Sequence, residues 1–202
     1  ENYENGVGGV SVAVIKWQAD PETALRAIAD KGVQLAVDEL ERLSDGVPTP
    51  DGWSYLWEIG KGEMFDQVPG EHGATMCCHA LEDVGILQKD VDCALTPSTW
   101  LKWKWKIEAL PSPVAEDTIF TPDYLSIALA FENGRDRSYY WSAELPVETS
   151  YHCPLPNWTH RETHLVIRSG LESLGEWFSE DRNVYDDYVK AIGEPPSRIV
   201  RV

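Results

Sequence analysis

Residues 100–108 read WLKWKWKIE, and the period of this stretch decides the fold. Laid out as a strand, Leu101, Trp103, Trp105 and Ile107 point to one side, with Lys102, Lys104, Lys106 and Glu108 on the other. Two readings of these faces are open. In a sandwich the apolar face joins the core, and the lysines are solvated side chains laid against acidic neighbours on adjacent strands. Local lysines also relieve repulsion in a chain of net charge −17. In a curved sheet the faces exchange roles, and Trp103 and Trp105 become a stacking floor for sugars or flat organic molecules. Large aromatics are more often core than platform, but nine tryptophans and eight tyrosines keep the second reading in play.

Working outward, extended segments recur between turn signals. Toward the C-terminus come LSIALAFE (125–132), the turn ENGRD, RSYYWS (137–142), HLVIRS (164–169) and SRIVRV (197–202), with Pro146, Pro154 and Pro156 in the intervening loops. Toward the N-terminus lie GATMCCHAL (73–81), GWSYLWEIG (52–60) and VSVAVIKW (10–17). Only two helices interrupt them. The first is expected at about 21–44: Asp20 caps it, Pro21 fills the first turn, Glu22 favours the dipole, and Gly46 closes it. Leu25, Ile28, Ala29, Val33, Ala36, Val37 and Leu40 recur along it at helical spacing, with Gly32 a mild cost rather than a stop. The second is expected at about 181–191, where Val184, Tyr188, Ala191 and Ile192 share a face before Gly193. Many short strands without β-α alternation predict a mainly β chain, an antiparallel β-sandwich or jelly roll with the two helices packed outside. A single domain over 1–202 is expected, with an N-terminal strand–helix segment at about 10–46.

Thirty-four acidic against 17 basic residues disfavour nucleic acid, anionic membrane and polyuronates as partners, and favour a neutral or cationic small molecule. The apolar runs are far shorter than the roughly 18 residues that span a bilayer, so a soluble chain is expected. The chain begins at Glu1 without a charged, apolar leader, which is read as a start removed by processing or by design. Cys77, Cys78, Cys93 and Cys153 are too sparse for a disulfide framework and read as buried thiols, with a Cys93–Cys153 bridge left open.

For acid–base chemistry the candidate catalytic residues are His164, Tyr139, His79 and Asp123, with Tyr140 and Lys104 also able to move a proton once burial or a neighbour shifts them. Each is also an ordinary polar side chain at a strand end. The candidate ligand contacts are Trp103, Trp105, Trp141, Tyr140 and Lys104. No metal and no cofactor is expected. His160 and His164 would be roughly 13 Å apart along a strand, too far for one ion, and Cys77 with His79 lacks third and fourth ligands. There is no G-x-S-x-G elbow, phosphate loop or dinucleotide fingerprint, and Asp186 and Asp187 of YDDY read as solvent-facing.

The W-x-W of Trp103 and Trp105, the Tyr139-x-Trp141 strand and the run RNVYDDYVKAIGEPP (182–196) resemble an uncharacterised bacterial family, the domain of unknown function 3047. The resemblance runs from about Leu95 to the end. It implies a β-sandwich like those of carbohydrate-binding and galactose-binding-like modules, in the cytoplasm or periplasm of a bacterium, and carries over no catalytic residue. This chain has only Asp123 where the family commonly has paired aspartates, and it stops at Val202 where members continue into one more strand. Its sheet is therefore expected to be completed by another element, by the N-terminal strand or by a second subunit, which leaves a homo-oligomer open. The functional expectation is a neutral or carbohydrate-like ligand in an aromatic-lined cleft. The alternatives are a cofactor-free lyase or isomerase in the same cleft, or a structural subunit of an assembly.

Overall fold

The computed structural model describes residues 20–45, 49–59, 62–70, 73–80, 84–110, 113–117 and 125–202. The expected strand at 10–17, Gly46 and Asp123 lie outside them. The chain groups into two compact units, 1–51 with 57–86 and 52–56 with 87–202.

In the first unit the expected N-terminal signals act as read. Asp20 accepts hydrogen bonds from the Glu22 amide (3.1 Å) and the Thr23 hydroxyl (2.5 Å), and Pro21 opens α1 (Pro21–Ala29). The single helix expected over 21–44 is two, because Gly32 stops the first. Its φ of +81° is a left-handed conformation that only glycine adopts cheaply, and the chain turns there before α2 (Gln34–Asp45). Leu25 and Ala36 are buried, whereas Val33 at the break is exposed. Next come β1 (Ser54–Ile59), β2 (Phe65–Gly70), β3 (Gly73–Cys78) and β4 (Val84–Gln88). Strands β2 and β3 form a hairpin from Phe65↔Cys78 to Gly70↔Gly73, and β1 pairs with β4. The boundary between the units runs within β1 and within β4.

The second unit holds β5 (Asp90–Ala94), β6 (Trp100–Trp105), β7 (Ser126–Phe131), β8 (Asp136–Ser142), β9 (Ser150–His152), β10 (Glu162–Ser169), β11 (Phe178–Asn183), α3 (Val184–Ala191) and β12 (Arg198–Arg201). Six of the strands make one sheet in the order β5-β12-β7-β8-β10-β9. It departs from an all-antiparallel pattern at one place, since β8 and β10 run parallel, with His164 opposite Ser138 and Leu165 opposite Tyr139. Parallel neighbours need a crossover of a dozen or more residues, and 143–161 supplies it. The other pairings are antiparallel. Strand β12 is no sheet edge: β5, a strand the sequence pattern did not mark, pairs with it on one side and β7 on the other.

The alternation of β7, β8 and β10 puts Leu129, Phe131, Tyr139, Trp141, Leu165 and Ile167 on one face, and a second layer covers them. That layer is the antiparallel ribbon of β6 and β11 together with α3. Trp105 lies 5.9 Å from Trp141 and Trp103 5.7 Å from Tyr139, ring centre to ring centre. Helix α3 starts at the Asn183 cap, later than the 181 expected, and adds Val184 and Tyr188, the latter 4.7 Å from Phe131. The second unit is thus a β-sandwich, and the described residues are mainly β with three helices rather than two. Among the described residues no helix is long and apolar enough to cross a membrane.

Candidate functional site

The strand 100–108 resolves in favour of its core reading. Trp105 is 5% exposed and Trp141 1%, and Trp103 meets Trp105 edge-on at 85°. Trp105 and Trp141 are therefore part of the core, and Trp103, half-buried, packs against it. Trp105 Nε1 donates to Glu180 Oε1 (2.9 Å), which also takes Arg168 Nε (2.5 Å), and the Arg168 guanidinium lies 3.5 Å from the Phe178 ring centre. Lys104 stays on the outer side of β6, opposite Ser179, and Lys102 pairs with Asp181 across the ribbon (2.8 Å).

Tyr139 and Tyr140 are neighbours on β8, so they face opposite ways. Tyr139 belongs to the tryptophan side, beside a buried ionic group. Arg137, fully buried, donates through Nη1 to Ser150 Oγ (3.0 Å) and to the His164 carbonyl (3.2 Å), pinning β9 and β10 from beneath. Burial lowers the pKa of Arg137 below its ordinary value and, with the Asp187 charge nearby, raises that of the Tyr139 phenol. Arg182 donates to Asp187 through both Nε (2.9 Å) and Nη2 (2.6 Å) and to Glu148 (2.6 Å), and the hydrogen bonds it gives Asp187 raise its pKa. Asp187, expected to face solvent, is buried, because this Arg182 fork draws it inward. A phenol held neutral by burial is a poor proton shuttle at neutral pH.

The other side of β8, β10 and β9 carries Ser138, Tyr140, Glu162, His164 and Tyr151. Here the expected His164 and Tyr140 do come together. The Tyr151 and His164 rings stack at 5.0 Å and 7°, and Tyr140 closes the corner edge-on, 6.2 Å from Tyr151 and 5.8 Å from His164. The Tyr140 and Tyr151 hydroxyls are hydrogen-bonded at 2.7 Å. Two residues before His164 on the same face, Glu162 accepts from the Ser138 hydroxyl through Oε1 (2.5 Å), and its Oε2 lies 3.7 Å from His164 Nε2. Cys153, just past β9, completes the cluster: its Sγ, a Glu162 oxygen and a His164 nitrogen all lie within 4.8 Å of one another. His164 and Cys153 are 3% and 4% exposed, Tyr151 is half-buried and His152 beside it is open to solvent. The site thus sits under the outer margin of the sheet, with imidazole, carboxylate, thiol and phenol in contact.

Of the remaining candidates, Asp123 lies outside the described residues. His79 lies in the first unit, exposed at the end of the β2–β3 hairpin, its amide bonded to the Met64 carbonyl (2.8 Å). His160 is exposed in the turn before β10, where its carbonyl accepts from Arg135 Nη1 (2.7 Å). None of the four cysteines is in a disulfide, so no Cys93–Cys153 bridge forms, and Cys78 and Cys93 are exposed rather than buried. The residues that sequence reading passed over are Ser138, Tyr151, Cys153 and Glu162. Glu162-Thr163-His164 carried a usable signal, since period-two alternation extended back by two residues puts the carboxylate and the imidazole on one face. Tyr151 lay in a three-residue strand among prolines, too short to read.

The chain belongs to the family described as protein of unknown function (DUF3047), whose model matches residues 56–202. The match begins well before Leu95, where the resemblance was read. No curated protein and no solved structure matches the chain.

Proposed function

We propose that this member of the DUF3047 family binds a small neutral molecule bearing hydroxyl or carbonyl groups, at the β9 margin of its main sheet and against Tyr140, Tyr151 and His164. The observation that carries this reading is the convergence of two bonded phenols, a stacked imidazole and a carboxylate on one sheet face, away from the tryptophan core. In this reading the aromatic contact expected of the tryptophans falls to Tyr151, half-buried over the buried Tyr140 and His164; its phenol both donates and accepts and so suits a neutral polar partner. The net charge of −17 disfavours nucleic acid, anionic membrane and other anions at this margin. Strand β9 offers a way in, being a three-residue edge strand with Tyr151 half-buried and His152 exposed.

The test is a thermal-shift and ligand-observed NMR screen of the whole chain against neutral sugars, polyols and small carbonyl compounds. A bound compound at 100 times its Kd adds about 2.7 kcal/mol, and Tyr151→Phe, which also removes the hydrogen bond to the buried Tyr140 hydroxyl and so lowers the unliganded melting point, is expected to weaken binding about tenfold as measured by titration. Absence of any neutral binder, or a larger shift from polyanions than from neutral compounds, refutes the reading.

A further inference from the structure

We infer that Cys153, Glu162 and His164 form a binding site for one divalent transition ion of the zinc class, a property independent of whether the adjoining tyrosines hold an organic molecule. Glu162 Oε2 and His164 Nε2 lie 3.7 Å apart, facing one another on the same side of β10. Two ligands each about 2.0–2.2 Å from a tetrahedral ion are separated by about 3.4 Å, so the observed spacing needs only a small adjustment to admit an ion between them. Cys153 Sγ lies within 4.8 Å of both, near enough for a small side-chain shift to bring a thiolate to about 2.3 Å from the ion.

Chemistry and surroundings agree with that geometry. Thiolate, imidazole and carboxylate are the three side-chain types that zinc takes, and with a thiolate and a carboxylate the ion's two charges are cancelled, giving a neutral site suited to burial. The outer partners are in place as well. Ser138 donates to Glu162 Oε1 and thereby turns Oε2 toward His164, Tyr151 stacks flat on the imidazole, and Arg137 fixes the His164 carbonyl from the opposite face. Three protein ligands leave one tetrahedral position for water or an oxygen donor, the pattern of zinc sites that do chemistry rather than only brace a fold. His164 and Cys153 are contributed from β10 and the residue after β9, so the ion would tie the margin strand to the sheet.

The test uses the full chain with Cys77, Cys78 and Cys93 changed to Ser, stripped with chelator and titrated with Co²⁺ alone, no organic compound present. The expected result is one Co²⁺ per chain with a sulfur-to-cobalt charge-transfer band and tetrahedral d–d absorption, displaced by Zn²⁺, which binds such sites more tightly. Cys153→Ser is expected to remove the charge-transfer band and the rise in melting temperature that Zn²⁺ gives. Ser138→Ala, a buried change too small to threaten folding, is expected to weaken binding about 10–100-fold. Cobalt bound without a charge-transfer band, a band that survives Cys153→Ser, or no ion retained by the parent chain overturns the inference. Because the titration contains no organic ligand, its failure leaves the neutral-ligand reading standing, and a failed ligand screen leaves this one standing.

Discussion

Trp105 is the residue on which the second layer of the sandwich turns, and truncating it measures that layer. The indole packs against Trp103 at 5.6 Å and Trp141 at 5.9 Å and donates to Glu180 at 2.9 Å. Tryptophan-to-alanine changes in a core cost about 3–5 kcal/mol, and a hydrogen bond to a charged group contributes about 1.5–3 kcal/mol. The two overlap, and Glu180 keeps Arg168 at 2.5 Å, so Trp105→Ala is expected to cost about 4 kcal/mol. Trp105→Phe keeps the ring contact and loses the indole donor, for about 2 kcal/mol. At about 2–4 °C per kcal/mol for a chain of this length, these are falls of about 8–16 °C and 4–8 °C in melting temperature. Because the chain has two units, the assay is amide hydrogen exchange resolved by strand, alongside calorimetry. Protection should drop in β6, in β11 and at Tyr139 and Trp141 of β8. If Trp105→Ala costs less than about 1 kcal/mol and β8 keeps its protection, the ribbon is not the cover of the sheet and the core assignment fails.

Two further outcomes follow from the buried ionic group. Tyr139 has its phenol pKa raised above the ordinary 10.0, mainly by burial, so the neutral form is favoured in the folded state. Its contribution to stability is complete below pH 10 and is lost as pH climbs through the raised folded value. An ultraviolet phenolate titration should therefore show part of the tyrosine ionisation delayed until unfolding, and Tyr139→Phe should reduce the delayed amplitude by one group, whereas ionisation of all eight tyrosines near pH 10 in folded protein contradicts it. Arg182→Met strands Asp187 and Glu148 without their common cation and is expected to cost about 2–3 kcal/mol, below the range for fully buried pairs because Arg182 keeps some solvent contact. Adding Asp187→Leu should recover most of that loss in urea unfolding, and a double variant as weak as the single one refutes the pairing.

Much of the fold was legible because its signals are local. The period of two in LKWKWKI put Trp103 and Trp105 on one face and the lysines on the other, which is where they lie. The Asp20 cap, the helix near Tyr188 and the strands around 126–131 and 136–142 follow from the same kind of signal. What was missed depends on partners distant in sequence. Strand β5, Asp90–Ala94, has an unremarkable composition and is a strand because β12 pairs with it. The parallel placement of β10 beside β8 is set by the crossover between them, not by either segment. The site divided along the same line. His164 and Tyr140 were chosen for their chemistry and did meet, but Tyr139, one residue away, was assigned to the same cleft although alternation sends it to the opposite face. Cys153 and Glu162 gain their meaning only when β9 and β10 are laid side by side.

The position of β12 has a consequence for how the protein comes into being. Its Arg198 pairs with Asp92 across 106 positions, and the strand sits between β5 and β7 rather than at a margin. During synthesis on the ribosome the flanks of β5 and β7 wait, unzipped, until the segment near residue 200 emerges. Such late long-range closure slows assembly and leaves backbone donors and acceptors open to stray pairing with other nascent chains. Mutations that weaken β12 are thus expected to lower the yield of folded protein more than their effect on the finished molecule's stability would suggest.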